Sequence, residues 1–149
     1  MSATRRIIAI PLIGAALTLI AFGVVRGVAA SGPSHGVRLN VAIDLFVGNR
    51  TGIPTGQPAV VLAQAIARHK NVRLDGIQAY AGHAAHRNGF VARRELSSGI
   101  MRTAVETRRL IETGGIPCPL LTGGSTGTYN IDCDVDGVTE LQPGSFVFM

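Results

Sequence analysis

The sequence contains no tryptophan and a single lysine, Lys70, among its 149 residues. Aromatic residues make up 5% of the chain, and its net charge of +5 comes from arginines that are spread along it. Nucleic-acid-binding surfaces combine clustered basic residues with aromatic residues placed among them. Because the sequence has no such run, its positive charge does not indicate a nucleic-acid partner.

Cysteine is also scarce, since Cys118 and Cys133 are the two in the chain. Two loosely spaced cysteines are too few for a zinc cluster. A disulfide between them is one alternative, and two reduced, partly buried thiols are the expectation that we favour for an α/β chain. The sequence also lacks internal repeats and low-complexity linkers, and its length fits one domain or part of one.

The first thirty residues differ in composition from the rest of the chain. Residues 1–6 are basic, residues 7–25 carry no charged side chain, and small residues follow before Ser31. This pattern fits a secretory signal peptide, a membrane anchor that contacts the bilayer through residues 7–25, or an aberrant N-terminus. We therefore treat residues 1–30 as a segment separate from the domain at residues 36–149.

From residue 36 onward, strand-like and helix-like patterns alternate. Four apolar segments are predicted to be strands: residues 37–45, 72–80, 118–122 and 145–148. Apolar residues at three- and four-residue spacing predict two helices: residues 58–68 and 93–112. Alternating strands and helices of this length predict βα units and a parallel sheet.

A glycine-rich stretch follows the third predicted strand. Its glycines alternate with hydroxyl residues: Gly123, Gly124, Ser125, Thr126, Gly127 and Thr128. Glycine lets a ligand approach the backbone closely, and successive free N–H groups in such a turn can bind an anion. The spacing matches neither the Walker loop nor the dinucleotide-binding fingerprint. The sequence predicts a phosphate-binding loop, with an ordinary surface loop as the alternative.

Polar residues follow each of the first three predicted strands. Residues 48–52 follow the first strand, residues 78–83 follow the second, and the glycine-rich loop follows the third. In an α/β barrel the active site is built at the carboxyl ends of the strands. Three polar loops on one rim therefore favour the phosphate-binding interpretation.

Four ordered segments carry a resemblance to a known family: residues 44–54, 74–83, 121–129 and 140–149. Over roughly residues 36–149, the chain resembles the group of D-threonine aldolases, D-3-hydroxyaspartate aldolases and D-serine dehydratases. The resemblance implies a partial (β/α) TIM-type barrel of the alanine-racemase kind. It also implies pyridoxal phosphate, a divalent metal, a small D-amino acid substrate and a cytoplasmic location, and it leaves a homodimer open.

The resemblance also assigns roles to individual residues. Five residues match the family's cofactor-phosphate loop: Gly123, Gly124, Ser125, Thr126 and Gly127. Arg50 matches an arginine beside the cofactor ring, with a surface arginine as the alternative. Tyr80 matches a tyrosine at the cofactor's edge, with a core tyrosine at a strand end as the alternative. No catalytic residue is assigned by this comparison.

Two further groups of residues are interpreted as solvated. His83 lies where the family has polar residues lining the site, and His83 and His86 are expected in a solvated loop rather than in a metal site. Three acidic residues lack the spacing of a calcium loop and are expected in a solvated turn: Asp132, Asp134 and Asp136. The sequence therefore predicts no metal ligand in this chain.

The chain also departs from the family pattern. The family attaches its cofactor to a lysine on the first barrel strand, where this chain has apolar residues. Lys70 is expected in a turn that faces water, which makes it a poor Schiff-base residue. The family's metal site lies in a C-terminal β domain, beyond Met149, and residues 44–50 are one residue longer than the family pattern. We expect a fragment of a lyase or aldolase that is inactive alone. An exported or membrane-anchored anion-binding module and a non-functional gene fragment are the alternatives.

Overall fold

The computed structural model of the protein describes residues 38–48 and 51–148. Residues 1–37, 49, 50 and 149 lie outside the described part of the chain. The apolar segment at residues 1–30 and the candidate Arg50 therefore fall outside it. Within the described residues, no helix is both long and apolar enough to cross a membrane.

The described residues contain one parallel sheet with helices between its strands. The strands are β1 (Leu39–Phe46), β2 (Ile53–Pro54), β3 (Val72–Ala79), β4 (Leu120–Gly123) and β5 (Glu140–Leu141). The helices are α1 (Gln57–Ala67), α2 (Gly82–Ala85), α3 (Phe90–Thr113) and α4 (Tyr129–Asp132), and a 3-10 helix spans Ser145–Phe148. The strand order is β2-β1-β3-β4-β5, and all neighbouring strands are parallel. This is the architecture of a partial (β/α) barrel, as predicted.

Alternation along β1 separates the two faces of the sheet. Ile43 and Leu45 are buried in the core that the sheet forms with α1 and α3. Asp44 lies between them and faces the opposite side, because successive side chains of a strand alternate. The parallel register pairs Asp44 with Gln78 and Gln78 with Thr122, so these polar residues share one face near the carboxyl ends of their strands.

The two long helices cover the apolar face of the sheet. Helix α1 has a proline in its first turn, where the fixed φ of proline is already helical. Its Ala59 and Ala63 are fully buried and let the helix approach closely. On α3, Met101, Ala104 and Ile111 are fully buried at helical spacing, which explains why the sequence predicts this helix well.

The predicted strand at residues 145–148 is wrong. These residues form a 3-10 helix in which the Val147 N–H donates to the Gly144 carbonyl at 3.1 Å. The Ser145 N–H donates to Thr126 Oγ1 at 3.1 Å, which turns the chain away from the sheet. The final described strand is the earlier β5. The periodicity of a four-residue apolar run does not distinguish a strand from a helix. The sequence therefore could not exclude a helix at residues 145–148.

Both cysteines are free thiols, as expected, but their environments differ. Cys118 is buried, whereas Cys133 is exposed rather than partly buried. Burial raises the pKa of the Cys118 thiol from 9.0 to about 11, although the nearby Arg108 lowers it. A thiolate at this position would have to lose its hydration, so the folded chain favours the neutral thiol.

We expect the free energy of unfolding to fall as the pH rises from about 9 to about 11. Below this range the Cys118 thiol is neutral in both states, whereas within it the unfolded chain loses the proton first. The expected loss is about 2 kcal/mol. Urea unfolding across this range measures it, with Cys118→Ala as the control. An identical pH slope in both proteins would contradict the assignment to Cys118.

Candidate functional site

The three polar loops meet at the carboxyl edge of the sheet. Helix α2 continues the second loop and lies between the first loop and the third. On the side of the first loop, a Cβ placed on Gly48 would collide with the His83 imidazole. At the other end of α2, a Cβ placed on Gly127 would stand 2.8 Å from the Ala85 Cβ. The prediction that these loops share one rim is therefore confirmed, because α2 contacts both of the others.

The glycine-rich loop is a closed turn held by its own hydroxyl groups. The Ser125 N–H donates to Thr128 Oγ1 at 3.0 Å, and the Thr128 N–H donates to the Ser125 carbonyl at 3.0 Å. The two hydroxyl oxygens lie 3.1 Å apart and both side chains are buried. These hydroxyls therefore shape the loop rather than face solvent. The turn begins at Gly124, whose φ of 70° suits glycine.

Two backbone donors of this loop remain available. The Thr126 and Gly127 N–H groups have no acceptor among the residues that the structure describes. Adjacent free N–H groups on a tight turn form a concave positive surface that suits an anion. Helix α4 follows the loop, but its four residues give a small dipole, so the N–H groups would supply most of the attraction for an anion.

A row of hydrogen-bonded side chains crosses the open face of the sheet beside the rim. At its first end, Thr51 Oγ1 donates to Asp44 Oδ2 at 2.9 Å, and Gln78 Nε2 donates to Asp44 Oδ1 at 3.1 Å. Thr51 directly follows Arg50 in the sequence. This end of the row therefore fastens Thr51 to β1 and, through Asp44, to β3.

The second end of the row joins β3, β4 and the residue after β5. Gln142 Nε2 donates to Gln78 Oε1 at 3.3 Å and to Thr122 Oγ1 at 2.9 Å. Thr122 Oγ1 donates to Glu140 Oε1 at 2.7 Å. That Thr122, Glu140 and Gln142 are neighbours is not evident from the sequence. The alternation of side chains along each strand shows which of its residues share a face. To show that residues of different strands are neighbours, the register between the strands is also needed.

Tyr80 lies half-buried directly after β3, with its ring edge 2.9 Å from a Cβ placed on Gly82. It therefore lies at the carboxyl end of β3, a position that fits both a residue of the rim and the alternative of a tyrosine at a strand end. His83 packs on Gly48 and is half-buried, whereas His86 is exposed. The expectation of a solvated loop thus holds for His86 and fails for His83, because α2 turns that side chain onto the Gly48 backbone.

The expectation of a solvated turn at the three acidic residues is also partly wrong. Asp134 and Asp136 are exposed, whereas Asp132 is fully buried. Asp132 Oδ1 accepts a 2.6 Å hydrogen bond from Ser97 Oγ on α3. Burial follows from this long helix packing over α4, which spacing within the acidic stretch does not reveal. No group of three or more potential metal ligands occurs among the described residues.

Lys70 lies far from this rim. It is exposed and occupies the connection between α1 and the start of β3, at the amino end of that strand. The rim is built at the carboxyl ends of the same parallel strands. The two positions are therefore on opposite edges of the sheet.

A cleft of about 470 Å³ lies between α3 and residues 130–136. Three arginines contribute to its walls: Arg94, Arg102 and Arg109. All three are exposed, and no residue of the three rim loops lines this cleft. It is a surface feature of the helical side, and the two adjacent N–H groups of the glycine-rich loop, at Thr126 and Gly127, make the better-defined candidate for an anion site.

A parallel sheet with a glycine-rich turn at the carboxyl end of one strand defines part of a (β/α) barrel that places its site on the strand-end rim. The chain belongs to the family described as alanine racemase, N-terminal domain, whose pattern matches residues 13–149. This family match confirms the predicted barrel type. It begins at residue 13, upstream of residue 36, where the resemblance predicted from the sequence starts.

Individual relatives agree with this assignment. A 3-hydroxy-D-aspartate aldolase from Paracoccus denitrificans (strain Pd 1222) is 29% identical over 147 residues, which are 97% of this chain and 38% of that protein. A D-threonine aldolase from an Arthrobacter species is 33% identical over 115 residues, covering 76% of this chain and 30% of the relative. The predicted resemblance to the D-threonine and 3-hydroxyaspartate aldolases is confirmed.

Solved structures give the same result. The crystal structure of D-threonine aldolase from Filomicrobium marinum is 28% identical and superposes with a TM-score of 0.72 over 84% of this chain and 34% of its own. D-threo-3-hydroxyaspartate dehydratase from Delftia sp. HT23 is 27% identical, with a TM-score of 0.71 over 95% of this chain and 42% of its own. The chain thus spans less than half the length of the relatives it matches.

Proposed function

We propose that this chain is the part of a pyridoxal-phosphate-dependent lyase or aldolase that binds the phosphate of the cofactor. The complete enzyme would act on a D-β-hydroxy amino acid of the D-threonine, D-3-hydroxyaspartate or D-serine type. The observation that carries the proposal is the pair of free N–H groups at Thr126 and Gly127, on a turn at the carboxyl end of β4. The named relatives support the substrate class.

The residues at the rim fit the cofactor in two respects. A phosphate group needs several donors and close backbone approach, and the turn from Gly124 to Gly127 offers both. Tyr80 stands at the same edge and would flank the ring, and Arg50, outside the described residues, would lie beside it. Once linked to a lysine, pyridoxal phosphate supplies an electron sink for bond cleavage at the substrate.

The residues of this chain would bind and orient rather than carry out the proton transfers. The Thr126 and Gly127 N–H groups would hold the phosphate, and Tyr80 would limit movement of the ring. The row from Asp44 to Glu140 keeps the strand-end loops in fixed positions. We propose that a divalent metal, where the complete enzyme uses one, is held by residues outside the described part of this chain.

The Lys70→Ala variant should react with pyridoxal phosphate in the same way as wild type. Lys70 is exposed and lies on the opposite edge of the sheet from the rim. We expect borohydride reduction and peptide mapping of the full chain to show no stoichiometric adduct at Lys70. The variant serves as the control for random modification. A stoichiometric pyridoxyl group on Lys70 would mean that this lysine is placed for covalent attachment.

We also propose that residues 1–30 lie outside the barrel core. Deleting them should leave the cooperative unfolding transition of residues 31–149 in place, as measured by circular dichroism during urea titration. If the segment is a signal, the exported form should begin near Ser31, whereas an unprocessed chain would favour the cytoplasmic location. Loss of cooperative unfolding on deletion would contradict the proposed boundary.

Binding of pyridoxine 5′-phosphate tests the proposed function, because this compound carries the phosphate but has no aldehyde to react with amines. We expect weak, salt-sensitive binding by equilibrium dialysis that inorganic phosphate displaces, since contacts to one group must offset the lost freedom of the ligand. Pyridoxine without phosphate is the matched control and should not bind. Equal binding of both compounds would show that the phosphate is not recognised.

A non-catalytic anion-binding module is the second candidate. It is favoured by the fact that the loop is closed by its own residues, Ser125 and Thr128. Both functions require the loop to bind phosphate. An experiment distinguishes the two functions when the rest of a relative's barrel, with its lysine, is supplied as a second polypeptide. Restored cleavage of D-threonine would support the enzyme fragment.

A further inference from the structure

Asp132 lies behind the glycine-rich loop and contacts both of its ends. At the start of the loop, a Cβ placed on Gly124 would stand 3.0 Å from Asp132 Oδ2. The carboxyl group therefore occupies the side of Gly124 on which any other residue would carry a side chain. At the end of the loop, the Asp132 N–H donates to the Thr128 carbonyl at 2.9 Å. One residue of α4 is thus in contact with the loop where it begins and where it ends.

A single hydrogen bond connects this carboxyl group to α3, the longest helix of the described residues. Asp132 Oδ1 accepts from Ser97 Oγ at 2.6 Å, and both side chains are buried. Oδ2 has no hydrogen-bond partner among the described residues, so the bond from Ser97 orients the carboxyl group. Met101 and Ala104, one and two turns further along α3, are fully buried in the core. Ser97 thus connects the loop to a well-packed part of the fold.

Stability alone does not account for this buried polar pair. Aspartate is rarely fully buried, and two apolar side chains of the same shape would fill the space between α3 and α4 at little or no cost. A hydrogen bond differs from apolar packing because it is directional and fixes one relative position of its two groups. The oxygen of a carboxyl, a carboxylate or an amide accepts such a bond, so the positioning does not depend on charge. The pair therefore contributes position more than net stability.

We propose that Ser97 and Asp132 are positioning residues of the phosphate site, which hold the glycine-rich loop in the closed form that presents the Thr126 and Gly127 N–H groups. This inference rests on the proposed function. Both positioning residues are fully buried, so neither contacts the anion, and they act through the path of the loop. The hydroxyls within the loop close the turn on itself, whereas the bond between Ser97 and Asp132 fixes the turn relative to the sheet. A loop that is fixed beforehand loses less conformational freedom when an anion binds.

Ser97→Ala tests this role, because alanine favours a helix and the change removes only the hydroxyl that bonds to Asp132. Titration of the full chain with inorganic phosphate, followed by amide NMR, gives the affinity. We expect the variant to bind phosphate at least about threefold more weakly, since only the fraction of molecules with a closed loop binds. The Ser125 and Thr128 N–H groups close the turn, and their hydrogen exchange should be about tenfold faster.

Thr107→Val is the matched control for the loss of a buried hydroxyl on the same helix. Thr107 is fully buried, but its Oγ1 accepts from the Gly56 N–H at 3.0 Å and so faces the start of α1 rather than the loop. Valine has a similar shape and leaves the Gly56 N–H unpaired, so this variant should lose stability. Its phosphate affinity and its hydrogen exchange at Ser125 and Thr128 should equal those of wild type.

Two variants of Asp132 separate the hydrogen bond from the charge. Asp132→Asn keeps an oxygen that accepts from Ser97, so its phosphate affinity should stay within about twofold of wild type. Asp132→Ala removes the acceptor and should weaken binding as Ser97→Ala does. Ser97→Ala should then have no further effect in the Asp132→Ala background, because two residues that act as one pair are not additive. If Asp132→Ala does not fold, the comparison of Ser97→Ala with Asp132→Asn decides.

The outcomes separate this inference from the function on which it rests. Weaker phosphate binding and faster exchange in the loop of Ser97→Ala, without either change in Thr107→Val, support it. Wild-type affinity in a folded Ser97→Ala protein overturns it. An equal loss of affinity in Thr107→Val, or a change in Asp132→Asn as large as that in Ser97→Ala, also overturns it, and the proposed function survives each of these results. If wild type itself binds no phosphate, the proposed function fails and the positioning role fails with it.

Discussion

Gly124→Val should abolish anion binding at the glycine-rich loop and leave the remainder of the sheet folded. Gly124 has a φ of 70°, which is strained for a β-branched residue. Its new Cβ would also stand 3.0 Å from both Asp132 Oδ2 and Leu141 Cδ2. The turn must therefore take another path, which moves the Thr126 and Gly127 N–H groups. Phosphate titration measures the loss, and we expect a reduction in unfolding free energy of about 1–3 kcal/mol.

Gly89→Val is the matched control for backbone strain. Gly89 also has a positive φ, 81°, but a Cβ there would meet no atom within 4 Å, and the residue precedes α3 rather than the loop. This variant should lose similar stability and retain phosphate binding. If Gly124→Val binds phosphate as wild type does, the path of this turn is not what recognises the anion.

Gly76→Ala should have the largest effect on stability. Gly76 lies within β3 and pairs with Leu120 of β4, and its new Cβ would overlap the Leu120 carbonyl, whose carbon would be 2.7 Å away. Backbone atoms of a paired strand cannot move away without breaking the sheet. We expect a loss of about 4 kcal/mol or more, which is a large share of the stability of a small domain.

Urea unfolding measures this loss, and Gly99→Ala provides the control. Gly99 lies within α3, and a Cβ there would meet no atom within 4 Å. Because alanine favours helix, this variant should be equal to wild type or more stable by up to about 1 kcal/mol. A Gly76→Ala protein within 1 kcal/mol of wild type would contradict the close approach of β3 and β4.

The longer elements of the fold were predictable from the sequence. Strands β1 and β3 and helices α1 and α3 agree with the predicted segments to within a few residues, because each repeats its apolar pattern several times. The four-residue β4 also overlaps its predicted segment. Strand β5 has two residues and helices α2 and α4 have four each, which is too short for a periodic pattern. Their positions are set by packing against α3 and the neighbouring strands.

The site was predictable in outline and not in its electrostatics. Glycine spacing located the loop, and the strand-end positions of Tyr80 and His83 located the rim. The burial of Asp132 depends on Ser97, which is distant in sequence and approaches only when α3 packs over α4. The link from Gln78 to Gln142 likewise depends on the order of three strands. Neither contact has a local sequence signal.

Amide NMR of the full chain during titration with inorganic phosphate tests the central claim most directly. If the glycine-rich loop is the phosphate site, the shifts should be confined to residues 123–128 and be largest at the free N–H groups of Thr126 and Gly127. They should disappear in Gly124→Val and persist in Gly89→Val. A folded chain without shifts in this loop, or with shifts at Arg94 and Arg102 in the cleft beside α3 instead, would contradict the account.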